Sequence, residues 1–223
     1  MSGRITPARM REYLRMYLVM GSTNCREEPE RVLIEALAGG ATMFQFREKG
    51  EGALRDEAKL SLARELQGMC RRARVPFIVN DDVELALELD ADGVHIGQDD
   101  ESAESVRGRI GNRILGVSAH TVDEARRAIH HGADYLGIGP IYPTFSKSDA
   151  KAAQGPAILH EMRRSGIELP MVAIGGITAG RAEEAIRAGA DGAAVISAVT
   201  QAEHVRMAVE EIAARVRAAV RMG

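Results

Sequence analysis

A closed eight-stranded parallel β/α barrel is the fold this sequence predicts, and three observations predict it. Short apolar runs of strand length recur eight times along the chain. Amphipathic segments separate them, with apolar residues at the three- and four-residue spacing of a helix. A weak internal repeat precedes every second strand: GGAT (39–42), DADG (90–93), GADY (132–135) and GADG (189–192) each read as a helix stop, a tight turn and the start of a strand. Alternating strands and helices imply a parallel sheet. Eight regular units in 223 residues favour closure into a (β/α)8, or TIM, barrel over a doubly wound open sheet.

The elements follow in order. A short extra helix over 6–15 should close the bottom of the barrel. The predicted strands are YLVMGS (17–22), MFQFREK (43–49), PFIVND (76–81), GVHIGQ (93–98), ILGVSAH (114–120), YLGIGPIY (135–142), MVAIGGI (171–177) and GAAVIS (192–197). Between them, EEPERVLIEALAGG, ALRDEAKLSLARELQGMCRRA, TVDEARRAIHHG and TAGRAEEAIRAG carry the helical period. Pro29 suits a helix first turn, and Gly39, Gly132 and Gly189 stand where helices should stop. No composition shift marks a domain boundary. One domain is expected over 1–223, with 1–16 a helical extension and 17–218 the barrel.

Composition narrows the function. The chain is 45% hydrophobic and 27% charged, ordinary for a globular domain. A net charge of -3 supplies no basic field for nucleic acid or an anionic membrane. Aromatics make up 4% with no Trp, which argues against a base-stacking surface. Cys25 and Cys70 lack metal-ligand spacing and read as free thiols of a reducing compartment. No apolar run has the length of a membrane span, and MSGRITPARMREYLR holds no apolar leader segment. The expectation is a cytoplasmic protein; a homo-oligomer stays open.

Active sites of such barrels lie at the C-terminal ends of the strands. In MFQFREK, alternation puts Phe44, Phe46 and Glu48 on one face and Gln45, Arg47 and Lys49 on the other. The phenylalanines suit packing against helices, which leaves Glu48 to pair with a helix cation. Two cations climbing the inner wall need an anion nearby. That anion is either an internal carboxylate or a bound phosphate or diphosphate. The third strand runs into Asn80-Asp81-Asp82 and the fourth into Gln98-Asp99-Asp100. Carboxylates from neighbouring strands repel unless a proton or metal lies between them. Mg²⁺ fits few carboxylates plus phosphate oxygens and water. Helix capping by Asp82 and Asp100 is the competing role, and alternation nominally turns Asp81 outward.

The sixth strand leads into a long polar loop, about 143–155, with Thr144, Ser146, Lys147 and Lys151. Loops this long in a compact barrel are usually lids or disorder, and a lid with two hydroxyls and a lysine can close over a phosphate. Gly175-Gly176 at the end of the seventh strand and Ser197 at the end of the eighth suit a second, backbone-built anion site. Ser118 and His120 share a face of the fifth strand, but two residues apart is not the spacing of a nucleophile and its base. Ser118 reads instead as a hydrogen-bonding group. His95, His130 and His131 read as structural or solvent-facing.

These motifs in this order, QFREK (45–49), VNDD (79–82), HIGQDD (95–100), GVSAHT (116–121), GPIYPT-x-S-K (139–147), AIGGI (173–177) and VIS (195–197), closely resemble the thiamine phosphate synthase family from about Tyr17 to Ser197. The resemblance implies an enzyme, a transferase of thiamine biosynthesis. It would join hydroxymethylpyrimidine diphosphate to a thiazole phosphate, releasing diphosphate and giving thiamine monophosphate. Its partners would be two small phosphorylated substrates, in keeping with the absence of a field for nucleic acid or membrane. By the same resemblance Gln45, Arg47, Lys49, Asn80, Ser118 and Lys147 contact the pyrimidine diphosphate. Arg47, Lys49, Ser118 and Lys147 carry the catalytic burden. Asp81 and Asp100 hold one Mg²⁺ per subunit, and Thr144, Ser146, Gly176, Ile196 and Ser197 meet the thiazole phosphate. Ser146 stands where the family commonly has Thr, so the hydroxyl is kept. A tautomerase of the same family would not need the full diphosphate and metal set, and a non-catalytic binder would not turn over.

Overall fold

The computed structural model describes residues 3–144, 146 and 152–222. Eight parallel strands close into a barrel in sequence order: β1 Met16–Met20, β2 Met43–Phe46, β3 Phe77–Asn80, β4 Gly93–Ile96, β5 Ile114–Ala119, β6 Tyr135–Ile138, β7 Met171–Ile174 and β8 Gly192–Val195. The helices are α1 Pro7–Leu14, α2 Pro29–Ala38, α3 Asp56–Ala73, α4 Val83–Glu88, α5 Ala103–Ile110, α6 Val122–His130, α7 Ala157–Arg164, α8 Ala179–Arg187, α9 Ser197–Thr200 and α10 Val205–Met222. All eight expected strands are present, and most stop before the polar residues at their C-terminal ends. No described helix is long and apolar enough to cross a membrane.

Alternation sorts the apolar residues into two cores. Phe44 and Phe46 pack with Phe77 between sheet and helices, as expected, with ring centroids 5.5 and 6.1 Å from it. The opposite faces of the strands fill the barrel interior with Tyr17, Val19, Met43, Ile78, Tyr135 and Val172. Met10 and Leu14 of α1 join this second core and seal its bottom. Thr6 caps α1 by accepting from the Arg9 N–H, and Pro7 occupies its first turn, where a missing N–H costs nothing.

The internal repeat has a physical job. Its last polar residue accepts the backbone N–H at the start of the preceding strand. Met16 donates to Thr42 Oγ1, Phe77 to Asp92 Oδ2, Leu115 to Asp134 Oδ2 and Met171 to Asp191 Oδ2, each at 2.8 Å. Asp134 and Asp191 also bind cations from the bottom. Arg4 and Arg107 reach Asp134 at 2.7 and 2.6 Å, and Arg11 and Arg163 reach Asp191 at 3.1 and 2.7 Å. Arg4 and Arg11, flanking and within α1, thus lock the closing helix onto the barrel.

Glu48 differs from expectation. Its carboxylate accepts from Ser22 N at 2.8 Å, Ser22 Oγ at 2.5 Å and Leu54 N at 2.8 Å. It ties the β1 and β2 loops through their own backbone, which needs an acceptor at that place more than a helix cation does.

Candidate active site

Arg47 and Lys49 follow β2, Asn80 ends β3 and Asp81 follows it. All four line one cavity at the C-terminal mouth of the barrel, with Gly97, Gln98 and Asp100 after β4 and Ser118 on β5. Thr144, Ser146, Gly176, Ile196 and Ser197 line the same cavity from the β6–β8 side. The sequence-predicted residues therefore come together, with two exceptions. Gln45 sits one layer deeper, 2% exposed, and its Nε2 donates to Tyr17 Oη at 2.7 Å. Lys147 lies outside the described residues.

The cationic wall is graded. Arg47 is 6% exposed. Lys49 is more open, with 42% of its side chain exposed, and its ammonium pairs with the Asp81 carboxylate. Charge on the inner residue acts through less solvent than charge on the outer one.

Asp81 faces the cavity against nominal alternation because its backbone has turned. Its φ is +61°, a left-handed conformation that non-glycine residues seldom hold. Its N–H still bonds His95 O at 2.8 Å, so the ladder continues while the side chain swings inward. Burial raises the Asp81 carboxyl above its ordinary range; Lys49 opposes this and neighbouring Asp100 reinforces it. Desolvation pushes Asp100 up as well, but a hydrogen bond shared with Asp81, the Gly97 N–H at 2.7 Å and the Lys49 charge bring it below its usual value. Two adjacent carboxyls driven apart in this way share one proton or one cation. Asp100 does not cap the next helix: Ser102 does. Asp82 is the capping member of its pair, accepting Leu85 N at 3.0 Å and pairing with Lys59 at 2.7 Å.

On the opposite side, Ser146 Oγ donates to Ser197 Oγ at 3.0 Å, joining the β6–α7 loop to the start of α9. Gly175 and Gly176 let this region close. A Cβ on Gly176 would lie 2.7 Å from Pro143 O, and both glycines have positive φ, +91° and +63°. The result is a hydroxyl- and backbone-lined end facing a charged end across one cavity.

Of the two roles the sequence leaves to His95, structural or solvent-facing, the buried one holds, and His95 also belongs to the cavity, which the sequence reading did not foresee. It is 6% exposed, lines the cavity floor and bonds Ser118 Oγ through Nε2 at 2.9 Å and Tyr135 Oη through Nδ1 at 2.9 Å. The signal was present: in GVHI, Val94 and Ile96 face the helices, so period two turns His95 inward. His120 also lines the cavity and donates from Nδ1 to Gly139 O at 2.6 Å.

The chain as a whole is similar to known proteins. The family described as thiamine monophosphate synthase matches residues 16–199. The thiamine-phosphate synthase of Geobacillus thermodenitrificans (strain NG80-2) is 59% identical over 216 residues, covering 97% of this chain and 98% of its own. That of Bacillus mycoides (strain KBAB4) is 57% identical over 213 residues, covering 96% and 97%. The solved thiamine phosphate pyrophosphorylase of Pyrococcus furiosus superposes with a TM-score of 0.85 at 36% identity, covering 95% of this chain and 99% of that one. This chain belongs to the thiamine monophosphate synthase family and, like its thiamine-phosphate synthase relatives, is a transferase.

Proposed function

We propose that the barrel mouth joins a pyrimidine diphosphate to a thiazole phosphate, giving thiamine monophosphate and free diphosphate, with one Mg²⁺ per subunit. One observation carries the reading. A buried cation, a second cation and paired carboxylates occupy one end of a cavity whose other end is built from hydroxyls and glycines. Two phosphorylated substrates, one with a charged leaving group, account for both ends. The relatives that bear the synthase name match over nearly their whole length.

Asp81 and Asp100 fit the metal. Their carboxyls are adjacent, oppositely perturbed and flanked by one lysine, a donor pair a hard cation would satisfy. When bound, Mg²⁺ would neutralise charge developing on the diphosphate oxygens. Lys49 pairs with Asp81 here; with a cation held by Asp81 and Asp100, its ammonium would be free to meet phosphate oxygens. Arg47, fixed in the wall, donates to the same oxygens, and a preorganised charge of this kind needs no rearrangement as the bond breaks.

The bond that breaks is carbon–oxygen, at a benzylic-type carbon of an aminopyrimidine whose ring amine delocalises the cation left behind. The thiazole nitrogen then adds, held by its phosphate between Thr144, Ser146, Gly176 and Ser197. That nitrogen bears no proton, so the site needs no general base. The free thiols of Cys25 and Cys70 suit a cytoplasmic enzyme.

Product inhibition tests the two-ended reading. Inorganic diphosphate with Mg²⁺ should compete against the pyrimidine substrate and not the thiazole phosphate. Competition against both, or neither, would overturn it.

A further inference from the structure

We infer that Gln45, Tyr17, Tyr135 and His95 form a one-way hydrogen-bond relay inside the barrel that fixes Ser118 as a donor into the cavity. The chain is continuous. Gln45 Nε2 lies 2.7 Å from Tyr17 Oη, which lies 2.8 Å from Tyr135 Oη. Tyr135 Oη lies 2.9 Å from His95 Nδ1, and His95 Nε2 lies 2.9 Å from Ser118 Oγ. The relay crosses the barrel from β2 through β1, β6 and β4 to β5.

Its direction follows from proton counting. An amide nitrogen can only donate, so Tyr17 Oη accepts from Gln45. Each phenol has one proton, and among the described residues Tyr17 Oη has no hydrogen-bond partner besides Gln45 and Tyr135, so its proton is satisfied only by giving it to Tyr135, which in turn gives its own to His95 Nδ1. A neutral imidazole that accepts at Nδ1 carries its proton on Nε2. Ser118 Oγ accepts that proton, and the serine's own proton is left to point at a ligand. In the reverse direction Ser118 would donate to His95 and present only lone pairs to an anion. Burial pushes both phenols well above their ordinary range, so each stays a one-proton hydroxyl.

The fold reserves space for this relay. A Cβ on Gly116 would lie 2.1 Å from Tyr135 Cζ and 2.5 Å from His95 Nδ1, and one on Gly137 would lie 3.0 Å from His95 Cε1. Tyr17, Tyr135 and His95 are positioning residues: they act through Ser118. The inference rests on the reading of Ser118 as an anion contact, but its first test does not.

Long-range proton–nitrogen NMR of the ligand-free protein, with a His95→Gln variant to assign the ring, reads the tautomer directly. The proton is expected on Nε2 with Nδ1 bare; a proton on Nδ1 overturns the relay. Turnover supplies the second arm. Tyr135→Phe removes the donor to Nδ1 and should lower kcat about tenfold, the order expected for one lost hydrogen bond. In a Ser118→Ala background the same change should cost almost nothing, because the relay then ends on no hydroxyl. A purely structural tyrosine would cost the same factor in both backgrounds, and that result would overturn the inference. An inert Ser118→Ala would instead sink the anion-contact reading while leaving the tautomer result standing.

Discussion

Removing Arg47 and removing Lys49 should have unequal consequences, and the structure sets the order. Arg47 is 6% exposed, whereas the Lys49 side chain is 42% exposed and already paired with Asp81. A unit-charge contact at about 4 Å is worth roughly 4 kcal/mol at an effective dielectric of about 20 and about 1 kcal/mol in water. Arg47 lies near the first limit and Lys49 nearer the second. Losing one preorganised donor to a developing anion typically costs about 100- to 1,000-fold. Arg47→Ala should therefore reduce the rate by that factor, about 3–4 kcal/mol. Lys49→Ala should cost about tenfold, or about 1.4 kcal/mol. The assay is single-turnover diphosphate release, with enzyme in excess over the pyrimidine diphosphate, the thiazole phosphate saturating and the melting curve of each variant recorded. Arg47→Ala within a few-fold of wild type would refute the reasoning. So would a larger defect in Lys49→Ala than in Arg47→Ala.

Asp81→Asn should raise the Mg²⁺ midpoint for activity at least about tenfold, while Asp82→Asn, a cap bound to Lys59, should leave it unchanged; equal shifts would contradict the assignment. Gly176→Ala places a methyl 2.7 Å from Pro143 O at a φ of +63°. It should raise KM for the thiazole phosphate more than for the pyrimidine diphosphate, and separate titrations of the two substrates decide it. Asp134→Ala strips the acceptor from Leu115 N and the partner from Arg4 and Arg107 at a carboxylate 4% exposed. Urea unfolding should show a loss of about 3–5 kcal/mol, with turnover of the folded protein kept; a loss below about 1 kcal/mol, the worth of a surface pair, would contradict it.

The architecture was legible because two periods coexist in the sequence. Alternating faces in MFQFREK assigned Phe44 and Phe46 to the outer core and Arg47 and Lys49 to the mouth, and both assignments match the burial seen. The repeat was visible as a pattern, but its role required coordinates. Thr42 and Asp92 share no charge, yet both accept a strand-opening N–H. Asp81 defeated alternation because a single left-handed residue reverses a side chain, and no sequence period encodes a positive φ at aspartate. Glu48 was misjudged because carboxylates are read as seeking cations, while the chain around it offered backbone donors and a hydroxyl. Alternation turns His95 inward, but the bonds that join it to Tyr135 and Ser118, and Tyr17 to Tyr135, span 23 to 118 residues, beyond any local pattern.

The most direct test of the whole account is product stoichiometry. Purified protein, Mg²⁺ and both substrates should give thiamine monophosphate and diphosphate in equal amounts over many turnovers, with neither formed when the thiazole phosphate is left out. Diphosphate without thiamine monophosphate, or one tightly held product molecule per chain and no turnover, would contradict it.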